Sequence, residues 1–305
     1  MSSIEAPAGT PGIAPADPAE QAERAGRAVD GVEVLGALSP SRVADFLGCA
    51  LYYRLRNIDR LPEPPSPAAV RGTVVHRALE LLFDLPAGRR TPEQAQELVV
   101  PAWEELQELE PALASMFAAE GPDVVTWLAS CRDVLATYFD LEDPTRLEPA
   151  EREVYVETLT DAKLLLRGVV DRLDVAPDGA IRVVDYKTGS SPREQFEAKA
   201  LFQLKFYALV LWRMRGTIPA VLRLVYLGNG EVLEYSPDET ELLATERKVH
   251  AVWEAIRAAT QAQDFQPRPG ATCRWCAHQA LCPAYGGTPP PYPAAPSPAA
   301  APVSA

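Results

Sequence analysis

No apolar run in this chain approaches the 18 or more residues that a helix needs to cross a bilayer, which excludes a helical membrane protein. The N-terminus also lacks the basic stretch and apolar core of a secretory leader, being made of Ser, Ala, Pro and Glu. The expectation is a cytoplasmic protein. Positive charge is scarce: 29 Lys and Arg face 42 Asp and Glu, a formal net charge of −13. That balance argues against a chain that binds nucleic acid by overall charge alone. Cysteine is sparse too, five in all, and in a reducing compartment clustered thiols are metal ligands rather than disulfides.

What is present suffices for a substantial core: 305 residues, 47% hydrophobic, in one large domain or two small ones. The acid is not spread evenly. Glu80 to Glu157 holds 18 acids and 5 arginines, which equals the whole net charge. Six arginines meet three acids over 37–77, five bases meet two acids over 190–215, and 268–285 carries two arginines and no acid. Local positive patches on an acidic body can still steer a polyanion.

Residues 1–35, rich in Ala, Pro and Gly, read as a disordered tail, and 286–305, uncharged and proline-rich, as another. The ordered part, 36–285, opens with Ser39 as N-cap and Pro40 in the first helical position. A helical block covers about 69–140, with breaks expected at Pro101, Pro111 and Pro122. It looks dispensable to the design. An α/β core follows over about 151–260: strands at 152–158, 164–175 and 180–186, a helix at 195–215, strands at 220–226 and 231–235, and a helix at 237–259. A cysteine-rich segment, 268–285, closes it. Cys131 sits in an apolar helical pattern and reads as a small buried hydrophobe.

Pro177-Asp178-Gly179 joins the second and third strands of the core as a three-residue loop, a type I turn with a glycine bulge. Ala176 then faces Ala180, and in the same register Asp171 faces Asp185. Lys187, two residues on, shares the face of Asp185. Opposed carboxylates repel unless a cation lies between them. Mg²⁺ or Mn²⁺ takes oxygen ligands, and such a site hydrolyses phosphodiesters with a lysine to orient water or stabilise developing charge. A surface hairpin with solvated acids is the plain alternative. His76 and Glu80 share a helix face, as do Gln203 and Tyr207. The imidazole is a candidate metal ligand, although a histidine on a helix is more often structural.

Cys49, Cys273, Cys276 and Cys282 can supply four thiolates, to tetrahedral zinc or to a four-iron, four-sulfur (4Fe-4S) cluster. Their spacing does not choose between the two. His278 lies within the run as a substitute ligand.

The combination resembles the RecB-type branch of the PD-(D/E)XK nuclease superfamily, that of recombination exonuclease nuclease domains and the CRISPR adaptation nuclease. The likeness extends over nearly all of 38–285. It rests on Arg71-Gly-Thr-Val-Val-His76, Gly168-Val-Val-Asp171-Arg172, Asp185-Tyr-Lys187-Thr-Gly189 and Gln203-Leu-Lys-Phe-Tyr207. The resemblance implies a restriction-endonuclease-like α/β core with a mixed central sheet and a helical insertion. It implies Mg²⁺- or Mn²⁺-dependent cleavage of DNA, from ends and often of single strands, in repair or recombination. It assigns His76, Asp171 and Asp185 to the metal, Lys187 to catalysis, and Gln203 and Tyr207 to the site. It also implies an iron–sulfur cluster on the four cysteines, in preference to zinc. No GxxxxGK(S/T) phosphate loop is present, so any unwinding falls to a separate helicase or repair protein. The competing reading is a non-cleaving nucleic-acid-binding or scaffold subunit. For DNA contacts the candidates are Arg54, Arg71 and Lys205, from the two basic segments.

Overall fold

The computed structural model describes residues 28–29, 32–117, 123–191 and 194–293. Most of the expected N-terminal tail, the expected break at Pro122 and the chain beyond 293 lie outside the described residues.

Eight strands are present among them: β1 Ala28–Val29, β2 Val32–Glu33, β3 Gly36–Leu38, β4 Glu151–Leu159, β5 Leu164–Val175, β6 Ile181–Lys187, β7 Val221–Tyr226 and β8 Glu231–Tyr235. The helices are α1 Pro40–Gly48, α2 Ala50–Tyr53, α3 Pro67–Leu82, α4 Pro92–Glu97, α5 Val99–Leu109, α6 Val124–Leu141, α7 Glu194–Arg215 and α8 Glu239–Ala262. β1 and β2 form a small ribbon by themselves. The other six make one mixed sheet in the order β3-β5-β6-β7-β8, with β4 on β5. β6 and β7 are parallel, which requires a crossover, and α7 is that crossover.

The hairpin expectation holds as far as Arg172↔Val184, one pair short of the expected Asp171–Asp185 pair. Gly179 takes the left-handed φ of +85°, Ala176 N–H donates to the Ala180 carbonyl at 2.9 Å, and the ladder runs from Val175↔Ile181 to Arg172↔Val184. Helix starts follow their caps: the Ser39 hydroxyl accepts from Arg42 N–H, and Asp238 with Glu241 forms a capping box on α8. Pro101 is a correction. It stands in the first turn of α5, where its missing N–H costs no helical bond, and the break comes earlier, at Leu98.

Two hydrophobic clusters sandwich the sheet. On one face Leu173, Val183 and Leu224 pack against Phe206 and Leu209 of α7 and Val249 of α8. On the other, Val184, Tyr186 and Val225 meet Val75 and Leu79 of α3, Trp103 of α5 and Trp127, Cys131 and Tyr138 of α6. The helical block is therefore no dispensable addition. It forms a whole covering layer, and Cys131 lies buried within it as expected.

The C-terminal tail departs from expectation as well. Packing does not stop at Gly286: Tyr292 stacks on Phe265 at 6.0 Å, and Arg54 donates to the Pro290 carbonyl at 2.5 Å.

Where β5 crosses α7, Gly168 makes room for Tyr207. A β-carbon at Gly168 would lie 2.6 Å from Tyr207 Cε1, on a buried ring. Gly168→Ala is expected to lower unfolding stability by about 1–3 kcal/mol, the usual cost of overpacking. Gly48→Ala, with nothing within 4 Å of its added β-carbon, should be neutral or slightly stabilising. Denaturant titration of the two variants checks the contrast.

Candidate active site

Asp171 stands where β5 loses its backbone pairing on both sides. Towards β6 the ladder ends at Arg172↔Val184, and the next backbone amide, Tyr186 N–H, donates to Asp171 Oδ2 at 2.7 Å instead. Towards β4 the pairs run Arg152↔Arg172, then Val154↔Val170, so Glu153 faces Asp171 without pairing. Glu153 takes a left-handed φ of +43°, a strained conformation for a non-glycine residue. Val170 and Leu173, three apart, both bury against α7, so the alternation of β5 slips by one at this point. The two splayed edges leave side chains, rather than ladder bonds, to fill the gap.

α3 delivers His76 into it. Its Nε2 lies 2.9 Å from the Tyr186 carbonyl, an acceptor, so this nitrogen carries the proton. In the neutral ring Nδ1 is then the lone-pair nitrogen, and it lies 3.5 Å from Asp171 Oδ2 and 3.9 Å from Glu153 Oε1. Among the described residues, His76, Glu153 and Asp171 are the group whose metal-binding atoms all lie within 4.8 Å of one another. A lone-pair nitrogen between two carboxylates, with excess negative charge around it, is a donor set that fits a divalent cation.

Beside this group runs a second chain of contacts. Lys187 Nζ lies 2.5 Å from Asp185 Oδ2 and donates to Gln203 Oε1 at 3.0 Å. Gln203 Nε2 donates to Asp185 Oδ1 at 2.9 Å and reaches the Tyr207 hydroxyl at 3.2 Å. Asp185 is 1% exposed, so its charge depends on these partners. All six residues singled out from the sequence thus meet here, in two sets: His76 with Asp171, and Asp185 with Lys187, Gln203 and Tyr207.

A model of the PD-(D/E)XK nuclease superfamily matches residues 37–283. The chain belongs to that superfamily. "Gene 69 protein" of Mycobacterium phage D29 is 26% identical over 200 residues, 57% of this chain and 68% of that protein. A solved structure from Eubacterium rectale named "Putative exonuclease" matches with a TM-score of 0.53 at 13% identity, covering 79% of this chain and 87% of that one. At that identity the likeness is one of fold. No helix among the described residues is long and apolar enough to cross a membrane.

Within this nuclease fold, Glu153 is the member that sequence reading missed. Arg172, in the same motif as Asp171, faces away from the gap. It is buried against Glu142 at 2.7 Å, Asp174 and the Tyr186 hydroxyl, so it braces the strand rather than facing a substrate. Gly72 serves the approach of α3: a β-carbon there would sit 3.3 Å from Thr188 Oγ1.

The basic segments need correction. Arg54 is 6% exposed and bound to Asp59 and Pro290, and Lys205 is held by Tyr235 and Glu241, so neither faces a DNA backbone. Arg71 is half-buried near Cys131. Arg56, Arg77, Arg213 and Arg215 are paired with acids as well.

Cys49 and the C-terminal cysteines do come together. Arg268 N–H donates to Cys49 Sγ at 3.4 Å, Gly270 N–H to Cys273 Sγ at 3.3 Å, and His278 N–H to Cys276. The neighbouring sulfurs push the Cys276 thiol up, after burial. No three of the sulfurs lie within 4.8 Å of one another. Tetrahedral zinc at about 2.3 Å per thiolate would hold four sulfurs about 3.8 Å apart. The N–H groups aimed at sulfur suit metal-bound thiolates, of zinc or of a cluster. His278 is not a spare ligand: its Nε2 pairs with Glu63 at 3.1 Å.

Burial first, then the charges of Asp171, Glu80 and Asp185, push the Glu153 carboxyl up to about 8. Burial, then Asp171, pushes Asp185 up to about 6, against the pull of Lys187. Both folded values exceed the ordinary 4.5 and 3.8. Ionising these groups therefore costs stability, a cost absent at acid pH and growing as pH rises through the neutral range. A divalent cation favours the ionised forms, so it should release protons and stabilise the fold more at about pH 8 than at about pH 6. Mn²⁺-induced thermal shifts at both pH values, with calorimetry in two buffers, check this. Glu153→Gln should abolish most of the proton release. Equal shifts without proton release would contradict the arrangement.

Proposed function

We propose that the chain is a Mg²⁺- or Mn²⁺-dependent deoxyribonuclease of the RecB type, an exonuclease working on DNA ends or single strands in repair or recombination. The observation that carries this reading is the convergence of His76, Glu153 and Asp171 beside the Lys187–Asp185–Gln203 chain. A bound divalent cation polarises a phosphate and lowers the pKa of water. The residues of this chain do the rest. His76, held by the Tyr186 carbonyl, presents Nδ1. Asp171, fixed by Tyr186 N–H, keeps an oxygen towards the same space, and Glu153 adds a carboxylate to the two acids expected from the sequence. Lys187 holds the attacking water or the charge that develops on phosphate. Gln203 sets the position of Lys187, and Tyr207 sets that of Gln203. Strand separation is left to another protein.

The cysteine segment belongs to the same proposal, as the seat of a 4Fe-4S cluster. Cys49 and Cys282 are separated by well over two hundred residues, so a centre shared by both restricts the unfolded chain strongly. Its role is to tie the N-terminal helix α1 to the end of the fold.

End-labelled single- and double-stranded DNA, with Mg²⁺, Mn²⁺ or EDTA, tests the activity. Asp171→Ala and Asp185→Ala should abolish cleavage while keeping the fold. Lys187→Ala should bind metal and DNA yet cleave at least about 100-fold slower. Full turnover by Lys187→Ala would end this assignment, and folded, metal-independent binding without cleavage would favour the scaffold reading. Anaerobically purified protein should carry about four irons per chain. Cys49→Ser should lose them as completely as Cys276→Ser; one zinc and no iron would exclude the cluster.

A further inference from the structure

Trp275 is the most exposed large hydrophobic residue among those described, at 79%. Tryptophan buries more apolar surface than most side chains, and leaving a whole ring in water forfeits that gain. The ring is not on a loose end. It sits in the turn Ala271–Trp275, directly between Cys273 and Cys276, whose sulfurs accept backbone N–H groups. Arg274 places its guanidinium 5.2 Å from the ring centroid. Tyr285, 50% exposed, bonds through its hydroxyl to Cys273. Arg268 and Arg274 are exposed, and no acid occurs over 268–285. On a chain with a net charge of −13 this is an uncommon stretch.

A protein-docking face would present a contiguous apolar patch. Here the sequence neighbours of Trp275 are glycine, alanine, threonine, arginine and cysteine, and the exposed ring lies beside a cation, with Tyr285 as the other exposed ring of the segment. That is the composition of a base-stacking platform, in which a ring takes the π-face of a base and arginine takes the phosphate. In a duplex the base faces are already stacked on one another, so the platform selects unpaired strands.

We propose that the cysteine-rich turn is a single-stranded nucleic-acid binding site, with a base stacked on Trp275 and Arg274 on the neighbouring phosphate. This deepens the nuclease reading, since it names where an unpaired strand is held, but it concerns residues outside the candidate active site.

Equilibrium binding of a fluorescein-labelled dT oligonucleotide to the full chain in EDTA tests it, with an abasic strand of equal length beside it. EDTA removes cleavage, so the result does not depend on nuclease activity. Trp275→Ala should weaken dT binding about five-fold or more, within the range of one lost stacking contact. Trp275→Phe should retain most of the affinity. The abasic strand should bind wild type and Trp275→Ala alike. Arg274→Ala should also reduce the dependence of log affinity on log salt by about one phosphate contact, which Trp275→Ala should leave alone. Trp275 is exposed, so its removal should not disturb the fold, as circular dichroism and melting would verify. Unchanged dT affinity in Trp275→Ala, or an equal loss on the abasic strand, would overturn the site. Metal-dependent cleavage together with such a result would leave the nuclease reading standing without it. Trp275-dependent binding with no cleavage under any metal would sink the nuclease reading alone.

Discussion

Carboxylate crowding at the break in β5 is the constraint on which the remainder of this structure depends. Burial, then the charge of Asp171, raises the pKa values of Glu153 and Asp185, with Glu80 also acting on Glu153 from α3. Like charges at such separations are costly when little water screens them. The fold accepts that cost, and it accepts left-handed backbone at Glu153 as well. Both are concentrated where β5 gives up its ladder bonds, and the neighbouring helices are arranged around that point. A sheet selected for stability alone would continue its pairing through Asp171 and place apolar side chains opposite one another. Strain and charge gathered in one place are what a site built for a cation requires.

The surrounding structure keeps the gap from collapsing. Tyr186 is central to this, because its backbone serves the site while its side chain serves the core. Its N–H holds Asp171, and its carbonyl holds His76. Its ring packs edge-on to Tyr138, and its hydroxyl is tied to Arg172, which is in turn held by Glu142. Arg172 and Glu142 are both almost wholly buried, and their ion pair, with Asp174 and Arg223 beside it, keeps each charge compensated. The helical layer therefore has two tasks. It covers the sheet, and through α3 and α6 it fixes the strand that carries Asp185 and Lys187.

Much of this is legible in the residues, and the part that is not has a physical reason. Pro177-Asp178-Gly179 names its own turn type, and a turn type sets a register. The ladder up to Arg172↔Val184 can therefore be set from the amino-acid order alone, although the expected Asp171–Asp185 pair beyond it does not form. The loop between β4 and β5 gives no such sign. It closes with Lys163 in the left-handed region, at φ +58°, where a glycine would have announced the turn. The register of β4 is thus hidden, and with it the position of Glu153 opposite Asp171. Pairing of charges is hidden in the same way. A count of arginines over 37–77 suggests a basic surface, yet Arg54, Arg56 and Arg77 are each neutralised by an acid brought in by the fold. A local excess of base becomes a surface potential only after folding has used what it needs.

That distinction also separates the two ends of the molecule. Over 37–77 and 200–215, Arg54, Arg56, Arg77, Lys205, Arg213 and Arg215 are held in ion pairs with acids. In the cysteine-rich segment the neighbouring acid, Glu63, is taken by His278. Arg274 is left with an aromatic ring for a partner. Positive charge that the fold does not consume is available to a ligand, whereas charge locked in ion pairs is not. On an acidic protein, a small patch of unpaired cation that carries an exposed ring is a place to which a polyanion can be directed. The acidity of the helical layer, which by itself argues against nucleic acid, then works as a source of orientation: it leaves a strand few places to settle other than beside the cations that remain.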